Sequence, residues 1–403
     1  MPKKNIIYQN IVNKINTPVF VYDSAVLNQN IDRIKRSIKI SGLEGRVSLK
    51  AAYFCNSNPH LFKILTNIGI GITIQSEEEH EQVKDLTENL ILSPSFLSDR
   101  EIDYWVSKNI PVNLASLEEV EYFIKHNPGL PINFRVDLTP EGKQRTAIKR
   151  WQLDKLATLL ATNKTNIESF HFYAGTGSSL SKMKRNIDQA FRIYAKYFPA
   201  AGSINLGGGF GFDYRNVPSH KKHFNWQEYF RYLALKCQQF HATNLKFIIE
   251  PGRDIFADSG ELFLKVKRIV DFGTGVKTIS TDGSYVYMPS ATIRARKHVL
   301  NFYDHNFDEL APAKTLATLS GCTTLSSDYV FPGTVKIPNR LKSGDYIVVN
   351  DTGAYCATQH MEFLNKRPCP EILIKSNDQA YLITKAGKFD DKLRNLLITP
   401  EKL

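Results

Sequence analysis

The chain has 403 residues and a formal net charge of +12 at pH 7, with 42% hydrophobic and 23% charged residues. This composition is typical of a folded globular protein and excludes long disordered tails. The basic residues are scattered in small groups and are not interleaved with aromatic residues, which argues against a nucleic-acid-binding track. An anionic substrate or cofactor is compatible with the same charge.

Five cysteines, with irregular spacing and no CxxC pair, predict neither a metal site nor a disulfide framework. Reduced thiols of a cytoplasmic protein are the expectation. The N-terminus lacks an apolar run with a cleavage site, and no apolar run approaches the ~20 residues of a membrane span. We therefore expect neither a signal peptide nor a membrane anchor.

In chain order, the first patterns are a short strand at 18–22, an amphipathic helix at 24–40 and a strand, Val47 to Lys50, that ends in a lysine. Further strands are predicted at 70–74, 90–92, 112–114, 132–136, 167–173, 203–206 and 245–249. Helical patterns separate most of them, at intervals of ~20–30 residues. About eight strands alternating with helices predict a parallel (β/α)8 TIM barrel.

After Gly252 the helical periodicity is mostly lost. Apolar or β-branched strands are predicted at 261–272, 277–282, 346–350, 371–375 and 379–384. We predict a TIM barrel at residues 26–270 and a β-domain, of sandwich or barrel type, from residues 1–25 and 271–403. Residues 5–25 are expected to join that domain as an edge strand.

Lys50 ends a predicted barrel strand, and such barrels carry their sites at the carboxyl ends of the strands. Burial is costly for an ammonium group, and a pKa lowered by burial makes the amine a nucleophile toward an aldehyde. Considered alone, a lysine at this position more often extends to the surface. Its interpretation therefore depends on the segments that follow the other strands.

Three other strands are followed by segments that suit a phosphorylated cofactor. Gly207-Gly208-Gly209 lets backbone amides approach a phosphate, although a tight turn needs the same residues. In Glu250-Pro251-Gly252-Arg253, the arginine suits a phosphate and the glutamate a protonated ring nitrogen, or the two form an ion pair at the barrel rim. Tyr173 offers an aromatic platform three residues before Thr176, although a core aromatic before a turn is commoner.

Together these motifs resemble those of the fold type III pyridoxal 5′-phosphate (PLP) decarboxylases. That family contains diaminopimelate, ornithine and biosynthetic arginine decarboxylases and is related to alanine racemase. The resemblance covers nearly the whole chain. Besides the glycine loop and the EPGR motif, it rests on Thr17 to Asp23, Ser48-Leu49-Lys50-Ala51, Gly344-Asp345-Tyr346, Asp351-Thr352-Gly353-Ala354-Tyr355 and Asn365-Lys366-Arg367-Pro368.

The resemblance implies a decarboxylase in which Lys50 forms an aldimine with PLP and Glu250 keeps the ring nitrogen protonated. Tyr173 would stack on the ring, where the family usually has histidine, and Thr73 stands where an acid is common. The remaining residues that would hold the cofactor are Thr176, Gly207, Gly208, Gly209, Gly252, Arg253 and Tyr355. The resemblance also implies a homodimer in which a partner supplies a cysteine to each site.

The family's cysteine loop is altered in this chain. Without gaps, Thr324 stands at the cysteine and Leu325 at the acid that follows it, whereas Asp328 matches. Cys322 takes the cysteine's place only if the loop shifts by two residues. Cys322 and Thr324 are therefore both candidates for the proton donor, and Thr323, Leu325 and Asp328 are candidates for substrate contacts.

The family has an acid at the position of Leu325, and that acid binds a distal amine of the substrate. The family also has an Arg-Pro pair whose arginine binds a distal carboxylate of the substrate. This chain has Met288-Pro289 at that place. These absences argue against ornithine, lysine and diaminopimelate as substrates. We expect a modified or carrier-linked amino acid, as in natural-product pathways.

Two alternatives remain on the same barrel. An amino-acid racemase would need a second acid or base opposite Lys50, for which Cys322 and Tyr173 are candidates, but the Asp351 to Tyr355 motif favours a decarboxylase. A non-catalytic relative that binds a partner protein would generally lose the lysine or the phosphate motifs. Because both survive here, we expect an enzyme.

Overall fold

The structure is a computed structural model that describes residues 3–393 except 138, 140–145, 290 and 292–295. The strands are β1 (Val19–Asp23), β2 (Val47–Ala52), β3 (Gly71–Ile74), β4 (Leu90–Leu92), β5 (Asn113–Leu114), β6 (Ile132–Asp137), β7 (Ile148–Lys149), β8 (Ile167–His171), β9 (Ser203–Asn205), β10 (Lys246–Ile249), β11 (Gly260–Val270), β12 (Val276–Thr281), β13 (Leu300–Tyr303), β14 (Glu309–Leu310), β15 (Thr315–Ser320), β16 (Tyr329–Ile337), β17 (Tyr346–Val349), β18 (Glu371–Ile374) and β19 (Ala380–Thr384).

The α-helices are α1 (Lys3–Lys14), α2 (Ser24–Ile40), α3 (Pro59–Thr66), α4 (Glu77–Val83), α5 (Asp99–Ser107), α6 (Leu117–His126), α7 (Leu153–Thr162), α8 (Leu180–Tyr197), α9 (Ser219–Lys222), α10 (Trp226–Gln239), α11 (Arg253–Phe256) and α12 (Phe389–Leu393). Short 3-10 helices span Tyr53–Cys55, Arg150–Gln152, Ala257–Ser259, Tyr285–Tyr287, Ala357–Gln359 and Phe363–Asn365.

The chain forms two compact units, which we call the barrel unit and the β unit. The barrel unit takes residues 30–212 and 223–255, and the β unit takes residues 1–29, 213–222 and 256–403. The expected barrel limit at residue 270 differs from this division because β11 pairs with β1, β12 and β17 in a mixed sheet.

The barrel unit contains a parallel sheet in the order β4-β3-β2-β10-β9-β8-β6-β5. A single parallel bridge between Leu92 and Val112 joins its two ends, so the sheet is a nearly closed eight-stranded barrel. All four residues of β3 are buried, because helices cover the outside of a parallel barrel while side chains fill its inside. The predicted (β/α)8 barrel is confirmed.

The barrel helices begin where the sequence supplies caps. Ser179 accepts a hydrogen bond from the Lys182 amide at the start of α8, and Ser116 accepts one from the Glu119 amide at the start of α6. The side chains that α8 buries recur at helical spacing: Met183, Ile187, Ala190, Phe191 and Ile193. That apolar stripe fixes α8 by packing rather than by helix propensity.

The β unit contains a mixed sheet in the order β14-β13-β17-β11-β1-β18-β19, extended from β11 through β12 and β15 to β16. The predicted C-terminal β-domain is therefore confirmed. The expectation of an edge strand at 5–25 was wrong, since residues 3–14 form α1 and β1 lies between β11 and β18. α1 contributes Tyr8 and Ile11 to a core that includes Phe263 and Phe307.

No helix in the described part of the chain is both long and apolar enough to span a bilayer. All five cysteines are free thiols.

Candidate functional site

Lys50 lies inside the barrel on β2 with 8% of its surface exposed. Its Nζ donates hydrogen bonds to Oδ1 of Asn89 and, at 3.4 Å, to the Leu90 carbonyl. Burial lowers the pKa of Lys50 to about 8, although the negative charges of Glu250 and Glu168 oppose the shift. A lysine with this pKa is partly neutral near physiological pH, as a nucleophilic amine must be.

Glu250 follows β10, the strand hydrogen-bonded to β2. Leu49 pairs with Ile249, so Lys50 and Glu250 are the next residues along the two neighbouring strands. Glu250 is 7% exposed, and its Oε1 accepts a hydrogen bond of 2.7 Å from Nδ2 of Asn205. Burial raises the pKa of Glu250, while the Asn205 hydrogen bond and the charges of Arg135 and Lys50 favour its ionised form.

His171 ends β8 and is one of the buried polar side chains of the barrel without a hydrogen-bond partner among the described residues, at both of its ring nitrogens. Nε2 of His171 lies 3.8 Å from Oε2 of Glu250. Burial, and secondarily the charge of Arg135, holds the pKa of His171 well below its ordinary value, so the ring is neutral at pH 7. Unsatisfied buried polar groups are expected where a polar ligand belongs.

Arg135 is a further residue of the candidate site, which the sequence analysis did not identify. It lies on β6, and its guanidinium carbon is 5.8 Å from the centroid of the Tyr173 ring. The Tyr173 hydroxyl in turn hydrogen-bonds to Oγ1 of Thr176 at 2.8 Å. A charged residue within the predicted buried strand Ile132 to Val136 was the available signal.

The glycine loop after β9 is shaped by close backbone packing. A Cβ on Gly208 would lie 2.4 Å from the Glu250 carbonyl oxygen, and one on Gly209 would lie 2.2 Å from the Gly175 carbonyl oxygen. The Gly207 amide donates to Oδ1 of Asn205 at 2.9 Å. Within the described residues the Gly208 and Gly209 amides donate to no protein acceptor, so two consecutive N–H groups are available to an anion.

Arg253 begins α11 and is 8% exposed. The next residue, Asp254, is fully buried and accepts hydrogen bonds from Nε1 of Trp226 (2.6 Å), the Phe224 amide (2.9 Å) and Nδ1 of His223 (3.1 Å). These bonds fix the start of α11 and with it the backbone of Arg253. A Cβ on Gly252 would lie 3.1 Å from Cβ of Cys55, so a larger residue would fit only if Cys55 shifted.

The loop that contains the candidate proton donors lies in the β unit. Asp328 is 2% exposed and accepts from Oγ of Ser284 at 2.8 Å, from the Tyr285 amide at 3.0 Å and from Oγ1 of Thr323 at 2.6 Å. These hydrogen bonds occupy the acceptor sites of the Asp328 carboxylate. They indicate that Asp328 and Thr323 stabilise the conformation of the loop. The Cys322 side chain is partly buried, whereas Thr324 and Leu325 are exposed.

Tyr355 follows β17, also in the β unit, with a φ of 57°. The preceding Asp351 is buried and accepts a 2.6 Å hydrogen bond from Nζ of Lys222. Gly353 has no room for a side chain, since a Cβ would lie 1.9 Å from the Phe256 carbonyl oxygen. The loop that carries Tyr355 is therefore held by an ion pair and by a close backbone contact.

The barrel residues fit PLP. A lysine of lowered pKa, a buried carboxylate, unsatisfied polar groups and two free loop amides match its aldehyde, ring nitrogen and phosphate. In the described part of the chain, no group of three or more His, Cys, Asp or Glu residues is arranged to hold a metal ion.

The chain is similar to known proteins. Residues 27–257 match the family model described as "Pyridoxal-dependent decarboxylase, pyridoxal binding domain". Diaminopimelate decarboxylase of Buchnera aphidicola (subsp. Acyrthosiphon pisum) is 24% identical over 92% of each chain. The L-glutamyl-[BtrI acyl-carrier protein] decarboxylase of Niallia circulans is 25% identical over 98% of this chain and 96% of its own.

Solved structures agree with the fold. Diaminopimelate decarboxylase from M. jannaschii in complex with L-lysine superposes with a TM-score of 0.84 at 18% identity, covering 98% of this chain and 95% of that one. Lysine/ornithine decarboxylase from Vibrio vulnificus gives a TM-score of 0.77 at 17% identity, covering 94% and 99%.

The similarities do not favour a racemase or a non-catalytic relative. The curated relatives are named as carboxy-lyases and match almost end to end. The chain therefore belongs to the fold type III PLP-dependent decarboxylases, and it is a carboxy-lyase that uses PLP to decarboxylate an amino acid.

Proposed function

We propose that Lys50 is the lysine to which PLP binds covalently and that Glu250 contacts its ring nitrogen. The observation that carries this proposal is the pair itself. Both residues are buried, Lys50 on β2 and Glu250 directly after the neighbouring strand β10, and burial lowers the pKa of Lys50 to about 8. PLP, when bound, supplies the electron sink that stabilises the charge left on the α-carbon as CO2 departs.

Lys50 contributes a neutral amine. With a pKa of about 8, half of its amine is neutral at pH 8, compared with roughly 1 in 300 for a lysine of ordinary pKa. A neutral amine can attack an aldehyde carbon and can also accept a proton. The hydrogen bonds to Asn89 and Leu90 hold Nζ inside the barrel.

Glu250 holds a proton on the cofactor's ring nitrogen. Asn205 keeps its carboxylate oriented, and the charges of Arg135 and Lys50 favour the ionised form. The neutral His171 ring, 3.8 Å away, adds no competing positive charge. A negative carboxylate beside a protonated ring nitrogen is the arrangement that deepens an electron sink.

The phosphate is assigned to the Gly208 and Gly209 amides together with Thr176 and Arg253. The free loop amides and a guanidinium at a helix start support this assignment. Gly207 is assigned to the loop's backbone, since its amide already donates to Asn205. Tyr355 remains a proposed phosphate ligand from the β unit, and Gly252 serves by its small size.

Cofactor spectroscopy tests the assignment of Lys50. Lys50→Ala should show no visible absorbance band after addition of PLP, whereas the wild type should. Lys149→Ala is a matched control, because Lys149 is also a largely buried barrel lysine, paired at 3.1 Å with Asp137. A wild-type band in Lys50→Ala, or an equal loss in both variants, would contradict the assignment.

For the substrate, we propose an amino acid carried on another molecule, as in natural-product pathways. Leu325 is an exposed apolar residue where the family has an acid, and Met288 is fully buried where an arginine is expected. The Niallia circulans relative is named for an L-glutamyl group on an acyl-carrier protein, which supports a conjugated substrate. A homodimer with shared active sites and a cytoplasmic location stay parts of the proposal.

A panel of substrates tests this choice. Free L- and D-amino acids, including diaminopimelate and ornithine, are compared with L-amino acids joined as thioesters to a carrier protein or to pantetheine. Released CO2 and the chirality of remaining substrate are both measured. We expect a conjugate to have a higher kcat/KM than any free amino acid. If free diaminopimelate or ornithine had the highest kcat/KM, the proposed substrate class would be wrong.

A further inference from the structure

Arg367, in the β unit, carries a guanidinium without an acceptor. Its Nε, Nη1 and Nη2 atoms are all buried, and none has a hydrogen-bond partner in the part of the chain that the structure describes. An arginine cannot lose its charge in a protein, and a buried charge is costly unless it is paired. A water molecule would satisfy hydrogen bonds without neutralising the charge. The missing partner is therefore an anion.

His360 is the second unsatisfied group of this cluster. Both of its ring nitrogens are buried without a hydrogen-bond partner among the described residues. The Tyr287 ring stacks on it with centroids 5.5 Å apart and an interplanar angle of 15°. Burial lowers the pKa of His360 and outweighs the opposing effects of the Lys366 and Val286 backbone and of the Glu362 charge, so the neutral ring, with one N–H donor, is favoured.

The chain between these two residues is held in an unfavourable conformation. Leu364 and Asn365 have φ values of 50° and 56°, in the left-handed region that non-glycine residues rarely adopt. Such residues cost on the order of 1–3 kcal/mol each and cluster at ligand clamps and active sites. These two φ values define the turn that comes just before Arg367.

The packing of Arg367 leaves its hydrogen-bonding edge for the anion. The Phe389 ring lies against the guanidinium, with its centroid 5.3 Å from the central carbon. Gly387 lies alongside, where a Cβ would be 3.2 Å from Cβ of Arg367. A cation–π contact uses none of the guanidinium's N–H groups as hydrogen-bond donors, and these groups match the paired oxygens of a carboxylate or phosphate.

We propose that Arg367 and His360 form an oxyanion-binding site that takes the anionic part of the substrate. The proposal rests on the proposed function, since it names a feature of the same conjugated substrate. Two sources supply this chemistry: a free carboxylate of the amino-acid portion, or the phosphodiester of a carrier protein's prosthetic arm. The proposed anion site does not include Met288, which stands where the family has an arginine and carries no charge.

The site is tested by anion binding to the PLP-loaded protein, so that cofactor phosphate already fills the barrel site. Tm is measured against glutarate as the carboxylate probe and dimethyl phosphate as the phosphodiester probe, with chloride at matched ionic strength. Saturable Tm increases are expected with at least one probe, and the stronger probe identifies the source. Arg367→Gln should raise the half-saturating concentration about ten-fold or more, and His360→Gln by a smaller factor.

Hydrogen exchange on the unmodified holoenzyme keeps the test valid if Arg367→Gln does not fold. The bound probe should slow exchange of amides in residues 356–367, and chloride should not. Equal Tm shifts in wild type and Arg367→Gln, or unchanged exchange in that segment, would overturn the site. The visible cofactor band is recorded throughout, because its loss would report failure of the Lys50 assignment instead.

Discussion

Nδ2 of Asn205 donates a hydrogen bond of 2.7 Å to Oε1 of Glu250, and both side chains are buried within the barrel. Asn205 ends β9 and Glu250 follows β10, two strands that pair in parallel. The same asparagine accepts from the Gly207 amide at 2.9 Å. One side chain thus couples the acid assigned to the ring nitrogen with the loop assigned to the phosphate.

Glu250→Gln should lower kcat by about 100-fold or more while PLP stays bound. The amide keeps the shape and an acceptor for Asn205, but it removes the negative charge that holds a proton on the ring nitrogen. Steady-state CO2 release and the visible spectrum measure the two effects separately. Glu228→Gln, a change in a surface ion pair with Arg231 and Lys184, is the control and should leave kcat unaltered. Wild-type kcat in Glu250→Gln would refute the role.

Gly209→Ala should destabilise the cofactor-free protein by about 3 kcal/mol or more. Its Cβ would lie 2.2 Å from the Gly175 carbonyl oxygen at a φ of 90°. Gly177→Ala is the matched control: it has a φ of 64° with nothing within 4 Å, so it should cost only about 1 kcal/mol. Urea unfolding of both variants measures the difference, and equal free energies of unfolding would show that the close packing is unimportant.

Lys50→Met should stabilise the cofactor-free protein at pH 7 by about 1–3 kcal/mol. The pKa of Lys50 is about 8 in the folded state against an ordinary 10.5, so its protonated form destabilises the fold. This penalty is complete below pH 8 and disappears as pH rises to 10.5. Urea unfolding from pH 7 to 10.5 should show the two proteins converging, and a gain that does not change with pH would contradict the shifted pKa.

Cys322→Ala should reduce kcat by about 100-fold, whereas Thr324→Ala should leave it close to wild type. A thiol is a much better proton donor than a hydroxyl, and Asp328 holds the loop around Cys322 through Ser284 and Thr323. CO2 release by the two variants decides between them. Wild-type kcat in both would remove this loop from the mechanism.

Mixing inactive variants tests whether active sites are shared. Lys50→Ala and Cys322→Ala change different units, so a mixed dimer would contain one intact site if each site combines both subunits. About a quarter of wild-type activity should return after subunit exchange. No recovery, despite light scattering that shows exchanged dimers, would argue against shared sites.

The sequence predicted those site residues that follow barrel strands, because parallel strands deliver their ends to one edge of the sheet. For Lys50, Glu250 and the glycine loop, that rule and the residue types gave candidates, and the resemblance to the PLP decarboxylases favoured them over the structural alternatives. Asp254 and Asn205 were missed because their partners are distant in sequence and are known only from the fold. Arg367 was recognised as part of a motif, but its lack of a partner is a property of packing.

Errors in the β unit also have local causes. The sequence of α1 was predicted to form a strand because β-branched and aromatic residues such as Ile6, Ile7 and Tyr8 favour strands. Tertiary packing makes this segment a helix instead. β13 to β16 were missed because they are short or half-buried, and β16 contains Pro332 and Gly333, which usually interrupt strands.

Peptide mapping after reduction of the PLP-loaded protein with borohydride tests the central claim most directly. Reduction fixes the cofactor to whichever lysine holds it, and mass spectrometry of the digest identifies that lysine. The account predicts a pyridoxyl group on the peptide that contains Lys50 and on no other of comparable yield. Labelling of a different lysine, with the Lys50 peptide unmodified, would contradict it.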